Sequence, residues 1–177
     1  MTREESISFY KTHAKRLYNI SLRIVRDSAL AEEIMQDTIL KFMSLDPIRG
    51  RQGSELQVNS WLAKTCIRAS IDELRKRKRE KRFLDEYAAE EAPVYFAPVE
   101  ETDNSSNSDT SSLDLVKIRK AIDDLKDPYR LMLNLVLIDG LDYEEISSIT
   151  GEREGTIRTQ YSRARKMLGE LLKKTTN

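Results

Sequence analysis

The chain has 177 residues, enough for one domain or two small ones. Apolar residues make up 39% of it and charged residues 34%, with only 6 Gly and 4 Pro, which favours a soluble, mostly helical protein. The single cysteine, Cys66, excludes a disulfide framework, and the single histidine, His13, excludes His-rich metal sites. We therefore expect no metal, no cofactor, no small-molecule substrate and no enzymatic activity.

No segment of the sequence has the features of a membrane span. The first residues, Met-Thr-Arg-Glu-Glu-Ser, are polar and lack the apolar stretch of a signal peptide. The longest apolar stretch, 131–138, is interrupted by Asn134 and is far too short to cross a bilayer. We expect a cytoplasmic protein.

The net charge of zero hides three differently charged segments. Residues 1–85 carry 18 basic and 12 acidic side chains, a net of +6, and residues 113–177 carry 12 and 11, a net of +1. Residues 86–112 carry 7 acidic side chains and no basic one, a net of −7. The basic first segment indicates a polyanionic partner.

Residues 1–85 are predicted to form a domain of three helices. Apolar positions recur at helical spacing from Ile7 to Met43. The run is broken at 27–29, where Asp27 or Ser28 is suited to cap the second helix. After a loop at 46–53, a third helix begins at about Glu55 or Ser60 and continues into the basic run 75–82.

Residues 86–112 are predicted to be a flexible acidic linker. Ala92-Pro93 and Ala97-Pro98 disfavour regular structure, and residues 102–112 are almost entirely Asp, Asn, Ser and Thr. Such a segment cannot bury enough apolar surface to offset its chain entropy.

Residues 113–177 are predicted to form a second helical domain. A helical pattern begins at Leu113 and is stopped or capped at Asp127-Pro128. A strongly apolar helix over 129–138 follows, and Gly140 is suited to the left-handed conformation after it.

The end of the chain has the proportions of a helix-turn-helix. Asp142 as N-cap and Glu145 three residues later form a capping-box pattern, and the short helix they begin stops at Gly151. The last helix runs from near Glu154 to about Lys173. Its predicted core stripe consists of Ile157, Tyr161, Ala164, Leu168 and Leu171.

Two cationic surfaces follow from these helices. The other faces of the last helix present side chains suited to base edges and phosphates in the DNA major groove. These side chains are Arg158, Thr159, Gln160, Ser162, Arg163, Arg165 and Lys166. The alternative is that they form an ordinary solvated helix face. In the run 75–82, seven of eight residues are cationic. That run fits a phosphate backbone, a helix C-terminus favoured by its dipole, or a solvated tail.

Several motifs resemble conserved regions of bacterial sigma factors. The segments GLDYEEI at 140–146, GTIR at 155–158 and SRAR at 162–165 resemble the fourth region. The segments at 17–43 and 59–79 resemble the second region. Two such halves joined by a variable linker, with no third region between them, resemble the extracytoplasmic-function (ECF) group.

The resemblance implies a promoter-specificity subunit that binds core RNA polymerase, recognises −35 and −10 promoter elements and initiates transcription. It implies an all-α fold of two small helical domains, with region 2 at 1–85, the acidic linker at 86–112, and region 4 with its helix-turn-helix at 113–177. An anti-sigma factor is an expected partner.

The resemblance also assigns residues to three surfaces. The −35 element and its phosphates would be contacted by Arg158, Thr159, Gln160, Ser162, Arg163, Arg165 and Lys166. The −10 element would be contacted by Trp61, Lys64, Arg68, Arg75, Arg77 and Lys78. The helix bearing Glu32, Glu33, Gln36 and Asp37 would bind the β′ clamp helices of the polymerase, while region 4 would contact the β flap.

Some positions depart from the family pattern. Arg68 stands where the family often has Asn, and Gln160 where it frequently has Arg. Trp61 is the only aromatic residue in 53–72, and we expect it to pack in the core more than to contact a base. Cys66 is expected to be buried, and His13 to be a surface or packing residue.

Two functions other than promoter recognition fit parts of the sequence. A decoy that only sequesters an anti-sigma factor would not need a basic recognition helix or the run 75–82. An ordinary helix-turn-helix regulator would leave residues 1–85 without a role. Spacing alone also allows the acidic helix face at 32–37 to be a merely solvated surface.

Overall fold

A computed structural model of the protein describes residues 2–45, 54–87 and 110–175. The predicted loop at 46–53 and most of the predicted linker, 88–109, lie outside the described residues. The chain divides into two compact units, 1–100 and 101–177, and each is described by itself. The described residues are mostly helical and contain no strand, as predicted.

The first unit consists of three helices: α1 (Arg3–Val25), α2 (Ser28–Met43) and α3 (Glu55–Tyr87). Helix α1 begins with a capping box in which Thr2 and Glu5 satisfy each other's backbone amides. Arg26 takes the left-handed conformation (φ 55°) and closes α1, so the chain turns into α2 within two residues. The predicted cap at the start of α2 is Asp27, whose Oδ1 accepts the Leu30 amide at 3.0 Å.

The core of the first unit lies where the three helices meet. Five of its members are at most 2% exposed: Leu17, Ile24, Ile39, Leu62 and Ile67. Cys66 is fully buried, as predicted, and its thiol donates to the carbonyl oxygen of Leu17 at 3.4 Å. The buried hydroxyl oxygens of Ser70 and Ser21 lie 3.0 Å apart, which joins α3 to α1 by a polar contact.

A row of aromatic rings joins the same three helices. His13 lies 4.4 Å from Phe9 between ring centroids, and Phe9 stacks on Phe42 at 4.9 Å. Phe42 in turn contacts Trp61 at 5.5 Å. His13 is therefore a packing residue, and Trp61 is half-buried against the core.

The second unit contains α4 (Thr110–Asp123), α5 (Asp127–Leu133), α6 (Tyr143–Thr150) and α7 (Glu154–Thr175). Its main core cluster is formed by Ala121, Ile122, Leu125, Leu133, Ala164 and Leu168. Pro128 lies in the first turn of α5, where its missing amide hydrogen costs no helical bond.

The apolar helix predicted at 129–138 is not one regular α-helix. After Leu133 the chain continues as a single π-helical turn, 134–138, in which the Asp139 amide donates to the Asn134 carbonyl at 2.9 Å. Within this turn Leu135 is fully buried and Leu137 is 51% exposed. Gly140 follows in the predicted left-handed conformation (φ 71°).

Candidate nucleic-acid interface

The helix-turn-helix is formed by α6, the turn 151–153 and α7. The predicted capping box begins α6: Asp142 Oδ1 accepts the Glu145 amide at 2.8 Å, and Glu145 Oε2 accepts the Asp142 amide at 3.1 Å. Gly151 ends α6 in the left-handed conformation (φ 74°), as predicted. These local signals fix where the turn begins and hence where α7 starts.

Side-chain bonds hold the turn in place. Ser147 Oγ donates to the Glu152 carbonyl at 2.7 Å, and the Glu152 amide donates to Thr150 Oγ1 at 3.2 Å. Gln160 Nε2 donates to Glu152 Oε2 at 2.9 Å, which ties α7 to the turn. Gln160 is half-buried, so this predicted DNA contact is already engaged within the protein.

Helix α7 has a buried face and an exposed polar face. Ile157, Ala164 and Leu168 are buried, whereas Tyr161 and Leu171 of the predicted stripe are half-buried. The other predicted −35 residues are all exposed: Arg158, Thr159, Ser162, Arg163, Arg165 and Lys166. The arrangement presents donors and positive charge on one side of a supported helix, which fits a DNA groove.

Two tyrosines, which the sequence analysis did not assign to this surface, lie among these cations. The rings of Tyr143 and Tyr161 are 5.9 Å apart. The guanidinium carbon of Arg158 lies 5.6 Å from the centre of the Tyr143 ring, and that of Arg165 lies 5.8 Å from the centre of the Tyr161 ring. The spacing of Tyr161 and Arg165, one helical turn apart, was the available signal for the second contact.

The predicted −10 residues on α3 fall into two groups. Trp61, Lys64, Arg68 and Arg75 recur at the spacing of one helix face, with Lys78 at its flank. Arg68, Arg75 and Lys78 are exposed, and Lys64 is half-buried. Nη1 of Arg75 lies 3.5 Å from Oδ1 of Asp72, an ion pair along the same helix.

Arg77 lies apart from this face, on the opposite side of α3. Its Nη2 donates to Asp27 Oδ2 at 3.0 Å, and its Nε lies 3.8 Å from a carboxylate oxygen of Glu73. The Leu30 amide and the Arg77 guanidinium together hold the pKa of Asp27 below its ordinary value, because both favour the charged carboxylate. Arg77 is thus engaged in holding α3 against the start of α2.

The predicted polymerase-binding residues form one exposed surface of α2: Glu32, Glu33, Gln36 and Asp37. Gln36 Nε2 donates to Glu32 Oε1 at 3.1 Å along that surface. Leu40 lies one turn after Gln36 and is 61% exposed, so the polar face ends in an apolar side chain that the sequence analysis did not single out.

None of the helices in the described ranges is both long and apolar enough to cross a membrane. Within those same ranges, no group of three or more His, Cys, Asp or Glu side chains is placed to hold a metal ion.

Comparison with protein families gives two matches in the order expected from the motifs. Residues 9–80 match Sigma-70 region 2, and residues 115–168 match Sigma-70 region 4. These two ranges contain the exposed face of α2, most of α3, and the helix-turn-helix except the last turns of α7.

Similar proteins cover nearly the whole chain. The RNA polymerase sigma factor CarQ of Myxococcus xanthus is 30% identical over 166 residues, covering 92% of this chain and 88% of that one. The ECF RNA polymerase sigma factor EcfG of Rhodopseudomonas palustris is 31% identical over 158 residues, covering 89% and 78%.

A solved structure has the same fold. The sigma factor RpoE of Bartonella quintana, in complex with the anti-sigma factor NepR, superposes with a TM-score of 0.61 at 26% identity, covering 93% of this chain and 94% of that one. The two matched regions agree with the relatives that cover most of the chain, and the chain belongs to the ECF family of RNA polymerase sigma factors.

Proposed function

We propose that this sigma factor reads the −35 promoter element with the exposed face of α7. The observation that carries the proposal is the placement of Arg158, Ser162, Arg163 and Arg165 on the solvent side of a helix whose other side is buried. Arginine bonds guanine through two donors, and serine contacts base edges or phosphates. Gln160 is half-buried and one of its two amide N–H groups is engaged by Glu152, so we expect it to contribute least to the interface.

The first unit supplies the other contacts. The α3 face bearing Lys64, Arg68 and Arg75 suits the phosphates and unpaired bases of the −10 element, while Trp61 supports that face from the core edge. Arg77 supports it indirectly, by fixing α3 against α2. The surface 32–37 of α2 docks on the β′ clamp helices of core polymerase, and region 4 contacts the β flap.

The protein acts without making or breaking a covalent bond. Opening of the promoter is driven by capture of unpaired bases and by polymerase contacts. It acts beside RNA polymerase in the cytoplasm. Because the Bartonella quintana neighbour was solved with an anti-sigma factor, we expect such a partner here too, covering the DNA-binding faces of both units. The boundaries 1–85, 86–112 and 113–177 remain our domain assignment.

Run-off transcription tests the proposal. Purified core RNA polymerase is given fragmented genomic DNA with and without the chain, and new transcripts are mapped. We expect discrete transcripts that share an upstream element at fixed spacing. The double variant Arg158→Ala, Arg163→Ala is expected to lose them, whereas the charge-matched control Lys120→Ala, Lys126→Ala, which alters exposed lysines outside α7, keeps them.

Other outcomes identify the alternatives. Binding to core polymerase without initiation would indicate a decoy. Binding to DNA without any effect on polymerase would indicate an ordinary regulator. Unchanged transcripts from the Arg158, Arg163 double variant would refute the assignment of the −35 element to α7.

A further inference from the structure

Four side chains form a continuous row across the helix-turn-helix. Arg158 faces the Tyr143 ring, the Tyr143 ring contacts the Tyr161 ring, and the Tyr161 ring faces Arg165. The two rings meet at an interplanar angle of 58°, a tilted arrangement that aromatic pairs favour. The row, with Ser162 and Lys166, lines one shallow depression on the surface that carries the predicted −35 contacts.

The tyrosines are fixed more firmly than the arginines that they contact. Tyr143 is the first residue of α6, immediately after Asp142, and the capping box between Asp142 and Glu145 sets the start of that helix. Tyr161 packs against the core cluster of the second unit. Both rings are half-buried, while Arg158 and Arg165 are exposed.

A fixed ring beside a flexible arginine restricts where the guanidinium lies. A free arginine side chain samples many rotamers and must be ordered before it bonds a base through two donors. The face of an aromatic ring attracts the guanidinium and leaves its edge donors available. An arginine held in this way loses less freedom when it binds its base.

We propose that Tyr143 and Tyr161 are positioning residues that preorganise Arg158 and Arg165 for discrimination among −35 sequences. The inference rests on the proposed function of α7. It predicts that loss of a ring weakens binding to the correct element about two- to fivefold, the range expected for an exposed cation–π contact. Binding to a scrambled element, which depends on phosphate contacts, should change little.

The test uses holoenzyme assembled from the full chain and core RNA polymerase. The probes are a promoter fragment identified by run-off transcription and the same fragment with its −35 element scrambled. The ratio of the two affinities is measured for the wild type, for Tyr143→Leu and Tyr161→Leu, which keep apolar bulk, and for Tyr143→Phe and Tyr161→Phe, which keep the ring. We expect the leucine variants to lower the ratio and the phenylalanine variants to retain it.

A double-mutant cycle tests whether Tyr143 acts through Arg158. In an Arg158→Ala background, Tyr143→Leu should cause little further loss of the ratio. Arg163 is the matched control because, in the described part of the chain, it makes no ring contact with either tyrosine. In an Arg163→Ala background, Tyr143→Leu should therefore cause its full loss.

The possible results separate the inference from the proposed function. An unchanged ratio in the leucine variants, an equal loss on both probes, or an undiminished further loss in the Arg158→Ala background would each overturn the positioning role. Loss of the ratio in the phenylalanine variants would do the same, since it would assign the effect to the hydroxyl. If wild-type holoenzyme itself did not distinguish the two probes, the proposed function of α7 would fail, and the inference with it.

Discussion

Arg77 on α3 donates to Oδ2 of Asp27 at 3.0 Å, while Oδ1 of the same carboxylate accepts the Leu30 amide at the start of α2. The Asp27 side chain therefore both caps α2 and anchors α3, the helix that carries the proposed −10 residues. Because the two residues are fifty positions apart in the chain, this contact exists only in the folded first unit.

Replacement of Asp27 should separate its two roles. Asp27→Ala removes both the cap and the ion pair, and should lower the free energy of unfolding of the first unit by about 0.5–2 kcal/mol. Asp27→Asn keeps a capping oxygen but loses the ion pair with Arg77, because the amide nitrogen that replaces Oδ2 cannot accept a hydrogen bond. It should therefore cost less than Asp27→Ala, at most about 1 kcal/mol for a partly exposed pair. Urea unfolding followed by Trp61 fluorescence measures both. Equal losses would show that the cap contributes nothing.

The stability of the first unit should also depend on the protonation of His13. Burial lowers the pKa of His13 below 6.5, the Arg16 guanidinium acts in the same direction, and Glu55 opposes them. As the pH falls below 6.5, the unfolded chain takes up a proton before the folded one does, so the free energy of unfolding decreases down to the folded pKa. Well above 6.5, where His13 is neutral in both the folded and the unfolded chain, this contribution is constant.

The variant His13→Gln should remove this part of the pH dependence. As the pH is lowered from about 7.5 to about 5, the free energy of unfolding of this variant should fall less steeply than that of the wild type. Urea unfolding followed by Trp61 fluorescence measures both. Parallel curves for the two proteins would contradict the expectation. The single tryptophan is a suitable probe because it lies in the same row of rings as His13.

The helix ends were predictable because their signals are local. Asp27, Asp142 and Gly151 act on residues within one helical turn, and that chemistry is visible in the sequence. The alternation of buried and exposed positions on α7 follows from helical spacing in the same way. These features defined the helix-turn-helix and its polar face.

Contacts between distant elements were not predictable from spacing. Tyr161 fits the core stripe of α7, and only the packing of α6 on α7 turns its ring toward Tyr143. Arg77 belongs to a basic run, and only the fold gives it Asp27 as a partner. The π-helical turn at 134–138 likewise follows no local signal, since the sequence there is uniformly apolar apart from Asn134.

The turn of the helix-turn-helix should depend on the backbone of Gly151. Its φ of 74° is unfavourable for any residue with a Cβ, although the space around it is open. Gly151→Ala should therefore cost about 1–2 kcal/mol through the backbone alone. Gly169→Ala is the matched control, because its surroundings are equally open and it lies in the interior of α7, where alanine is favoured by roughly 0.5–1 kcal/mol. Hydrogen exchange of α6 and α7 amides should be faster in the first variant only.

Some cationic side chains of α7 should contribute to the affinity for any DNA, and others to the preference for one −35 sequence. Lys166 presents a point charge suited to a phosphate, so Lys166→Ala should reduce the salt dependence of promoter binding by about one unit of slope and leave sequence preference intact. Arg158→Ala should instead relax preference within the −35 element by about 1–3 kcal/mol. Titrations of holoenzyme on correct and scrambled fragments over a range of salt concentrations measure both. A uniform loss for Arg158→Ala on all sequences would make it a phosphate contact.

The apolar end of the α2 surface should contribute to polymerase binding. Leu40 is 61% exposed beside Gln36 and Asp37, and burying such a side chain in an interface releases about 1.5–3 kcal/mol. Leu40→Ala should therefore weaken binding to core polymerase by about 1 kcal/mol, since only the exposed part of the side chain is available for burial. Leu56→Ala is the control, since Leu56 is 79% exposed but lies on α3. Competition with labelled wild-type chain for core polymerase measures both affinities. A loss confined to Leu56→Ala would move the docking surface from α2 to the start of α3.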